Sequence, residues 1–399
     1  MARQSSSRRT LSAALVSTLI TQGSDPTTFS PWTHRPFCLK ASSDPWCVYT
    51  NADTSSSGRA SVNHGISIIT TPELASGTLN LLKHVPPTGL SSSDTASHSA
   101  TRKNESKPCQ VKSVTGKGLG AIATRRILKG EKVLVDRVAV LSAAEYPEDI
   151  SRKQVQDLLA KAVEQLPEPE MVLKLSRKGR GEEQGFSVVE DLLLSNSFLV
   201  EVGGQSLMGL FGDLARFNHA CEPNTNMRFS EKTLAMTIVA SRDIEPGEEL
   251  TISYIDATLP SKDRQSTLQK IWGFRCTCPL CRLSRHQRRA SDERRTEIQT
   301  LRQETIELAQ AGKFHDAIGI SEQLIKLIDQ EGLTLAIPDV YDIPAALYYH
   351  VGNLVKAREY NFLSLMALQE LGVEEGSKEE DKVKMIKETL DKIEEELSA

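Results

Sequence analysis

Residues 276–281 read CTCPLC, a Cys-x-Cys-x-x-Cys cluster. Three thiolates at this spacing can share one tetrahedral Zn²⁺, whose Zn–S bonds of about 2.3 Å they can reach. A closed site needs a fourth ligand. Cys221, inside residues 218–224 (NHACEPN), is the only other cysteine after Cys109. Four protein ligands make a metal structural, because a catalytic zinc keeps an open position. Its work would be to pin the Cys-rich segment against the loop at Cys221. A disulfide, an iron–sulfur or redox role and unrelated buried thiols are the alternatives. His219 lies two residues before Cys221, which raises a Cys–His nucleophile pair. Close sequence neighbours rarely align as a dyad and no orienting partner is in view, so the pair is not expected.

Four further segments follow in order. Residues 116–120 read GKGLG, 216–224 read RFNHACEPN, 243–256 read DIEPGEELTISYID, and 271–281 read IWGFRCTCPLC. Singly, each has an ordinary explanation: GKGLG is often a turn, and a Tyr ending a strand is usually core. Together, in this order and spacing, they resemble a SET-domain protein lysine methyltransferase, in particular the SET-and-MYND branch and fungal SET proteins with a helical C-terminal domain. The resemblance covers residues 110–282 specifically and 283–399 loosely. It implies an α+β chain: a mostly-β SET fold with its β-clip and pseudoknot, a post-SET zinc cluster and a C-terminal α-helical, repeat-like domain. It also implies transfer of methyl groups from S-adenosylmethionine to lysine side chains of histone or non-histone proteins.

That chemistry explains the residue types. An amine attacks the methyl of a sulfonium in line, so positioning and desolvation supply the catalysis. A lysine of pKa near 10.4 is neutral in only about one molecule in 2,500 at pH 7, and burial beside a positive sulfonium favours the neutral form. The resemblance implies that Lys117, Gly118 and Leu119 run along the cofactor, glycine allowing close backbone approach. Asn218 and His219 would hold the cofactor's amino-acid and adenine ends, Asn196 would contact it, and Phe274 would stack on adenine. Tyr254 would be catalytic, its hydroxyl orienting the amine. Cys221, Cys276, Cys278 and Cys281 would ligate zinc. Asn224 is expected to stabilise the threaded loop. One departure is plain: residues 142–195 contain neither Cys nor His, so the seven-Cys, one-His finger of the SET-and-MYND branch is absent.

The elements that must position these residues follow from texture. Residues 119–127 and 132–141 read as strands around the Lys129-Gly130 turn, as do 234–240 and 249–255 around Pro246-Gly247. Residues 151–175 show helical spacing of apolar side chains. The implied organisation is a SET domain over 106–260 with a helical insertion at 145–195, a zinc-binding segment over 261–282, and a tetratricopeptide-like helical domain over 283–399 with glycine elbows at Gly312 and Gly352. Its tail is expected to cap the array, with Met385, Leu390, Ile393 and Leu397 as one apolar stripe. Residues 1–105 are Ser/Thr-rich and are expected to be largely disordered. The exception is 64–76, a short strand leading into a helix.

In the 399 residues, 48 Lys plus Arg stand against 52 Asp plus Glu, which excludes a globally basic nucleic-acid coat. No apolar run is long enough to span a membrane. A local basic run, 282–295, leaves nucleic-acid contact, a nuclear import signal or a solvated helix face as options. Residues 1–24 carry Arg3, Arg8 and Arg9 without acids, suiting a targeting segment or a plain tail. The expected location is nucleus or cytoplasm, with organelle or secretory targeting by residues 1–24 left open, and Cys38 with Cys47 could pair in an oxidising organelle. The chain is expected to be a monomer acting on a protein lysine, with peptide partners for the helical domain. The rival reading is an inactive SET scaffold that docks partners through its helical repeats.

Overall fold

The computed structural model describes residues 29–39, 45–52, 65–78, 89–90 and 107–398. The proposed targeting segment 1–24 and the Ser-rich runs 54–58 and 91–99 lie outside them.

In chain order, the N-terminal elements are β1 (Phe37–Leu39), β2 (Trp46–Asn51), β3 (Ile66–Thr70), α1 (Pro72–Thr78) and β4 (Gly89–Leu90). Then come the hairpin β5 (Cys109–Val114) and β6 (Gly118–Ala123), followed by β7 (Lys132–Ala143). The insertion holds α2 (Arg152–Glu164), α3 (Pro169–Leu173) and α4 (Val188–Asn196). After it run β8 (Ser197–Val202), β9 (Gln205–Phe211), β10 (Asn218–His219), β11 (Thr225–Ser230), β12 (Ala235–Ala240) and β13 (Thr251–Ile252). Helices close the chain: α5 (Ser261–Trp272), α6 (Arg285–Gln310), α7 (Phe314–Gln330), α8 (Ile337–His350), α9 (Leu354–Glu370) and α10 (Lys378–Ser398).

β7 is the spine. It pairs with β12, β9 and β4 antiparallel and with β3 parallel. Its near-continuous apolar run, VLVDRVAVL, suits a strand covered on both faces. Val133, Leu134, Val138 and Leu141 enter one core, while Ala139 and Val140 enter another beneath α2, which contributes Leu158, Leu159, Ala162 and Val163. Ser151 and Gln154 form a capping box that starts α2. The single helix read over 151–175 is two, because the Pro167-Glu168-Pro169 segment cannot continue the first.

Within 1–105, expected to be largely disordered, the described residues include paired strands. β1, β2 and β3 form an antiparallel meander whose last strand joins β7 at Ser67↔Val140, and Cys38 and Cys47 form a cross-strand disulfide. Val48, Ile66, Ile68 and Ile69 are buried, so short apolar strands between polar runs gain their stability from long-range pairing that local composition does not reveal.

In the helical region, Gly312 (φ +73°) and Gly352 (φ +76°) end α6 and α8 in the left-handed conformation. Each is followed by a residue bonded back to the preceding turn: Lys313 N–H to Leu308 O and Asn353 N–H to Tyr348 O, both 2.9 Å. The two elbows repeat one design. On α10 the buried stripe is Ile386 and Ile393, with Leu390 beside it; Met385 and Leu397 are exposed, so the stripe read from sequence is corrected by one register. The array grips the sheet domain at both ends. Lys129–Glu370, Lys132–Glu374 and Arg228–Glu379 join β7, the turn before it and β11 to the α9–α10 corner. Arg295 and Glu331, almost fully buried and 2.8 Å apart, lie where α6 and α7 meet the chain after β13, and Arg295 bonds to the Ala257 carbonyl.

Candidate active site and thiol cluster

The turn between β5 and β6 carries Gly116 (φ +75°) and Gly118 (φ +79°), where a side chain would be strained. Beyond chain neighbours, no atom lies within 4 Å of where their Cβ atoms would be, so this backbone faces open space. Gly120 is tight: a Cβ there would lie 2.7 Å from both Asn218 Nδ2 and Val114 Cγ2. Asn218 Nδ2 donates to Leu119 O at 3.2 Å and to Glu249 Oε1 at 2.8 Å. Lys117 Nζ reaches Glu249 Oε2 at 2.6 Å.

β10 runs parallel to β13, with Asn218 opposite Thr251 and His219 opposite Ile252. Asn224 locks this crossing: its Oδ1 accepts from Thr251 N–H at 2.8 Å and its Nδ2 donates to Glu249 O at 3.0 Å. Two residues past β13, the Tyr254 hydroxyl donates to Phe217 O at 2.8 Å. The Tyr254 ring lies 5.2 Å from Trp272, 5.4 Å from His219 and 6.4 Å, edge-on, from Phe274. Burial, and then the Glu249 charge, raise the phenol above its usual range, so the hydroxyl stays protonated.

His219 joins this aromatic group to the thiols. Its Nδ1 accepts the Tyr254 backbone N–H at 3.1 Å, so the ring proton belongs on Nε2, 3.3 Å from Cys221 Sγ. Burial holds the imidazole down to about 4, hence neutral, as a buried donor to sulfur should be. The sulfurs of Cys221, Cys276, Cys278 and Cys281 lie within 4.8 Å of one another, with Cys221 3.9 Å from Cys276 and 3.6 Å from Cys281. A tetrahedral ion with bonds of about 2.3 Å sets sulfurs about 3.8 Å apart, so this donor set can hold a metal ion. Gln265 on α5 supports it, accepting from Cys276 N–H at 3.0 Å and donating to Cys281 Sγ at 3.2 Å, an outer shell of the usual kind.

Most of the residues read from sequence therefore meet here: Lys117, Gly118 and Leu119 on the turn, Asn218 and His219 on β10, then Tyr254, Phe274 and the four cysteines. Asn196 stands behind the aromatic group. Its Nδ2 donates to Ser176 O and Leu192 O, both 2.7 Å, and the neighbouring Ser195 carbonyl receives the Trp272 indole N–H at 3.1 Å. Glu249, Trp272 and Gln265 were not singled out from sequence. The basic run is no uniform cationic face, since Arg294 and Arg295 pair with Glu331 and Arg289 pairs with Glu293.

Residues 118–255 match the SET domain family. The chain carries a SET domain. Its matched span runs from the glycine turn to just beyond Tyr254, with the thiol segment and helical array following. Among curated proteins, it is similar to histone-lysine N-methyltransferase SET5 of Yarrowia lipolytica, 31% identical over 109 residues, covering 25% of each chain. It is similar to set5 of Schizosaccharomyces pombe, 26% identical over 208 residues, covering 49% of this chain and 57% of that one. Human histone-lysine N-methyltransferase SMYD3 is 35% identical over 94 residues, covering 24% of this chain and 21% of that one. The chain thus spans from about a fifth to under three-fifths of these relatives' length. Among the described residues, no helix is long and apolar enough to cross a membrane.

Proposed function

We propose that this protein is an S-adenosylmethionine-dependent protein-lysine N-methyltransferase whose thiol cluster binds a structural zinc ion. The observation that carries the reading is Tyr254, its hydroxyl fixed on the Phe217 carbonyl and its ring enclosed by Trp272, Phe274 and His219 beside the open glycine turn.

The residues fit the cofactor. Gly116 and Gly118 leave their backbone open, Asn218 offers an amide, and Phe274 and His219 offer aromatic faces. When bound, S-adenosylmethionine supplies a methyl group on a positive sulfonium. A lysine amine entering beside Tyr254 would meet a protonated hydroxyl and the Phe217 carbonyl, which together fix the direction of its lone pair. The half-buried aromatic walls would disfavour the ammonium form and limit water access. Cys221, Cys276, Cys278 and Cys281 would hold zinc with no open position, tying the segment after α5 to β10. Lysines of histones are the first substrates to try, because the similar proteins are named for them, and non-histone lysines are the second. Such a substrate places the work in nucleus or cytoplasm.

The test is a calorimetric titration of S-adenosylmethionine into the full zinc-loaded chain, beside Asn218→Ala, followed by incubation with core histones and methyl-labelled cofactor. One-to-one binding that is measurably weaker in the variant, with label on lysine, is expected. A folded, zinc-loaded chain that binds no cofactor would overturn the reading.

A further inference from the structure

We propose that Glu249 is the positioning residue of the cofactor site, holding the Asn218 amide in the one orientation that presents its oxygen to the ligand. The inference rests on the methyltransferase reading above. Asn218 Nδ2 lies between two groups that only accept, Leu119 O at 3.2 Å and the Glu249 carboxylate at 2.8 Å. Both amide hydrogens are therefore engaged, and the side chain's remaining capacity is Oδ1, an acceptor. An acceptor suits an ammonium, the group that the methionine end of S-adenosylmethionine carries. A flipped amide would turn NH₂ toward that cation and its oxygen toward a carboxylate, two repulsive contacts in place of two attractive ones.

Glu249 reaches this position through β6. Residue 249 forms an isolated bridge with Ile122, and Leu250 N–H donates to Ala121 O at 2.8 Å, so its side chain rises beside Gly120. Glycine at 120 leaves the room both side chains occupy, since a Cβ there would lie 3.0 Å from Glu249 Oε1 and 2.7 Å from Asn218 Nδ2 and would displace them. The other carboxylate oxygen takes Lys117 Nζ at 2.6 Å. One side chain thus ties the glycine turn to β10, the two halves of the cradle, while its backbone carbonyl is held by Asn224. Glu249 is 17% exposed, so these contacts are only partly screened by solvent.

The experiment measures S-adenosylmethionine affinity by calorimetry on the full zinc-loaded chain, with a thermal melt of each variant. Glu249→Leu removes the acceptor and should weaken binding by roughly tenfold or more, the usual scale for a hydrogen bond to a charged group. Glu249→Gln restores an acceptor for Asn218 and should recover much of that loss. In an Asn218→Ala background, Glu249→Leu should cost nothing further, which a merely structural role would not produce. Wild-type affinity in Glu249→Leu, or an equal loss in the Asn218→Ala background, would overturn the proposal. If Glu249→Leu does not fold, Glu249→Gln carries the test: it must bind more tightly than Asn218→Ala, and equal weakness overturns the proposal. A wild-type chain that binds no cofactor would instead remove the methyltransferase reading first.

Discussion

The hydroxyl of Tyr254 is bonded at 2.8 Å to the carbonyl of Phe217, the residue immediately before Asn218. The residue that would orient the amine is thereby coupled through a single backbone step to one that would hold the cofactor. Tyr254→Phe removes this donor and little else, since the ring keeps its Trp272 and Phe274 contacts. Methyl transfer should fall by about 100-fold or more, the scale of losing one preorganised donor, with cofactor affinity and zinc content unchanged. A labelled-methyl assay beside metal analysis checks both halves.

Gly120→Ala should disable the cofactor site without unfolding the chain. The new methyl meets Asn218 Nδ2 and Val114 Cγ2 at 2.7 Å, and the flexible amide is what can yield. Overpacking of this kind costs about 1–3 kcal/mol, readable in urea, whereas cofactor binding should be lost outright.

Zinc should be stoichiometric and structural. Cys278→Ser is expected to take metal content from one ion per chain to none. It should lower the melting temperature by several degrees, because α5 and the segment after it lose their tie to β10. A chelator should do the same to the wild type, and a melt unmoved by either would separate the thiols from any metal role.

Stability should fall as pH rises toward 7. Asp136 on β7 is fully buried and accepts the backbone N–H groups of Asp213 and Leu214, both at 2.8 Å. Burial first, with Asp213 adding to it, pushes its carboxyl up to about 7 from an ordinary value of 3.8. Between those values the folded chain binds more proton than the unfolded chain, so unfolding becomes easier as pH climbs. Asp136→Asn should flatten that slope between pH 4 and 7 in urea titrations, and an unchanged slope would assign it elsewhere.

Glu331→Ala should be the costliest single change at the joint between the two regions. It leaves the Arg295 guanidinium, 1% exposed, without its carboxylate. Breaking a buried pair from one side costs about 3–5 kcal/mol, while Arg295→Met with Glu331→Leu should recover most of it. Denaturation of the wild type and the two variants provides the comparison.

What could be read from sequence was local. CTCPLC, NHAC, GKGLG and the Tyr ending ELTISY each bring their chemistry within a few residues, and the structure gathers them at one site. Glu249 escaped because an acid in the run GEEL looks like a solvated charge, and only the pairing of 249 with Ile122 turns it inward. Trp272 escaped because its partner, Tyr254, is a helix away. β1 and β2 escaped for a different reason: they are held through β3, whose own partner β7 lies about seventy residues later, and composition carries no trace of that partnership. On α10, a charged helix with apolar residues at adjacent positions does not fix its own buried stripe, and only packing against Leu365 and Leu368 of α9 selects Ile386 over Met385.

The parallel pairing of β3 with β7 has a practical consequence for anyone trimming this chain. A fragment begun near residue 107 would keep every residue named in the candidate site, yet it would strip Val140, Leu141 and Ser142 of their neighbours on one side. An edge of that kind, long and apolar, is a template for pairing with other copies. The same cut removes Val48 and Ile69 from the cluster under α2, leaving a greasy trough beside the bare edge. Such a fragment should precipitate or self-associate, and a soluble one has to keep β1 to β3 and so begin before Phe37.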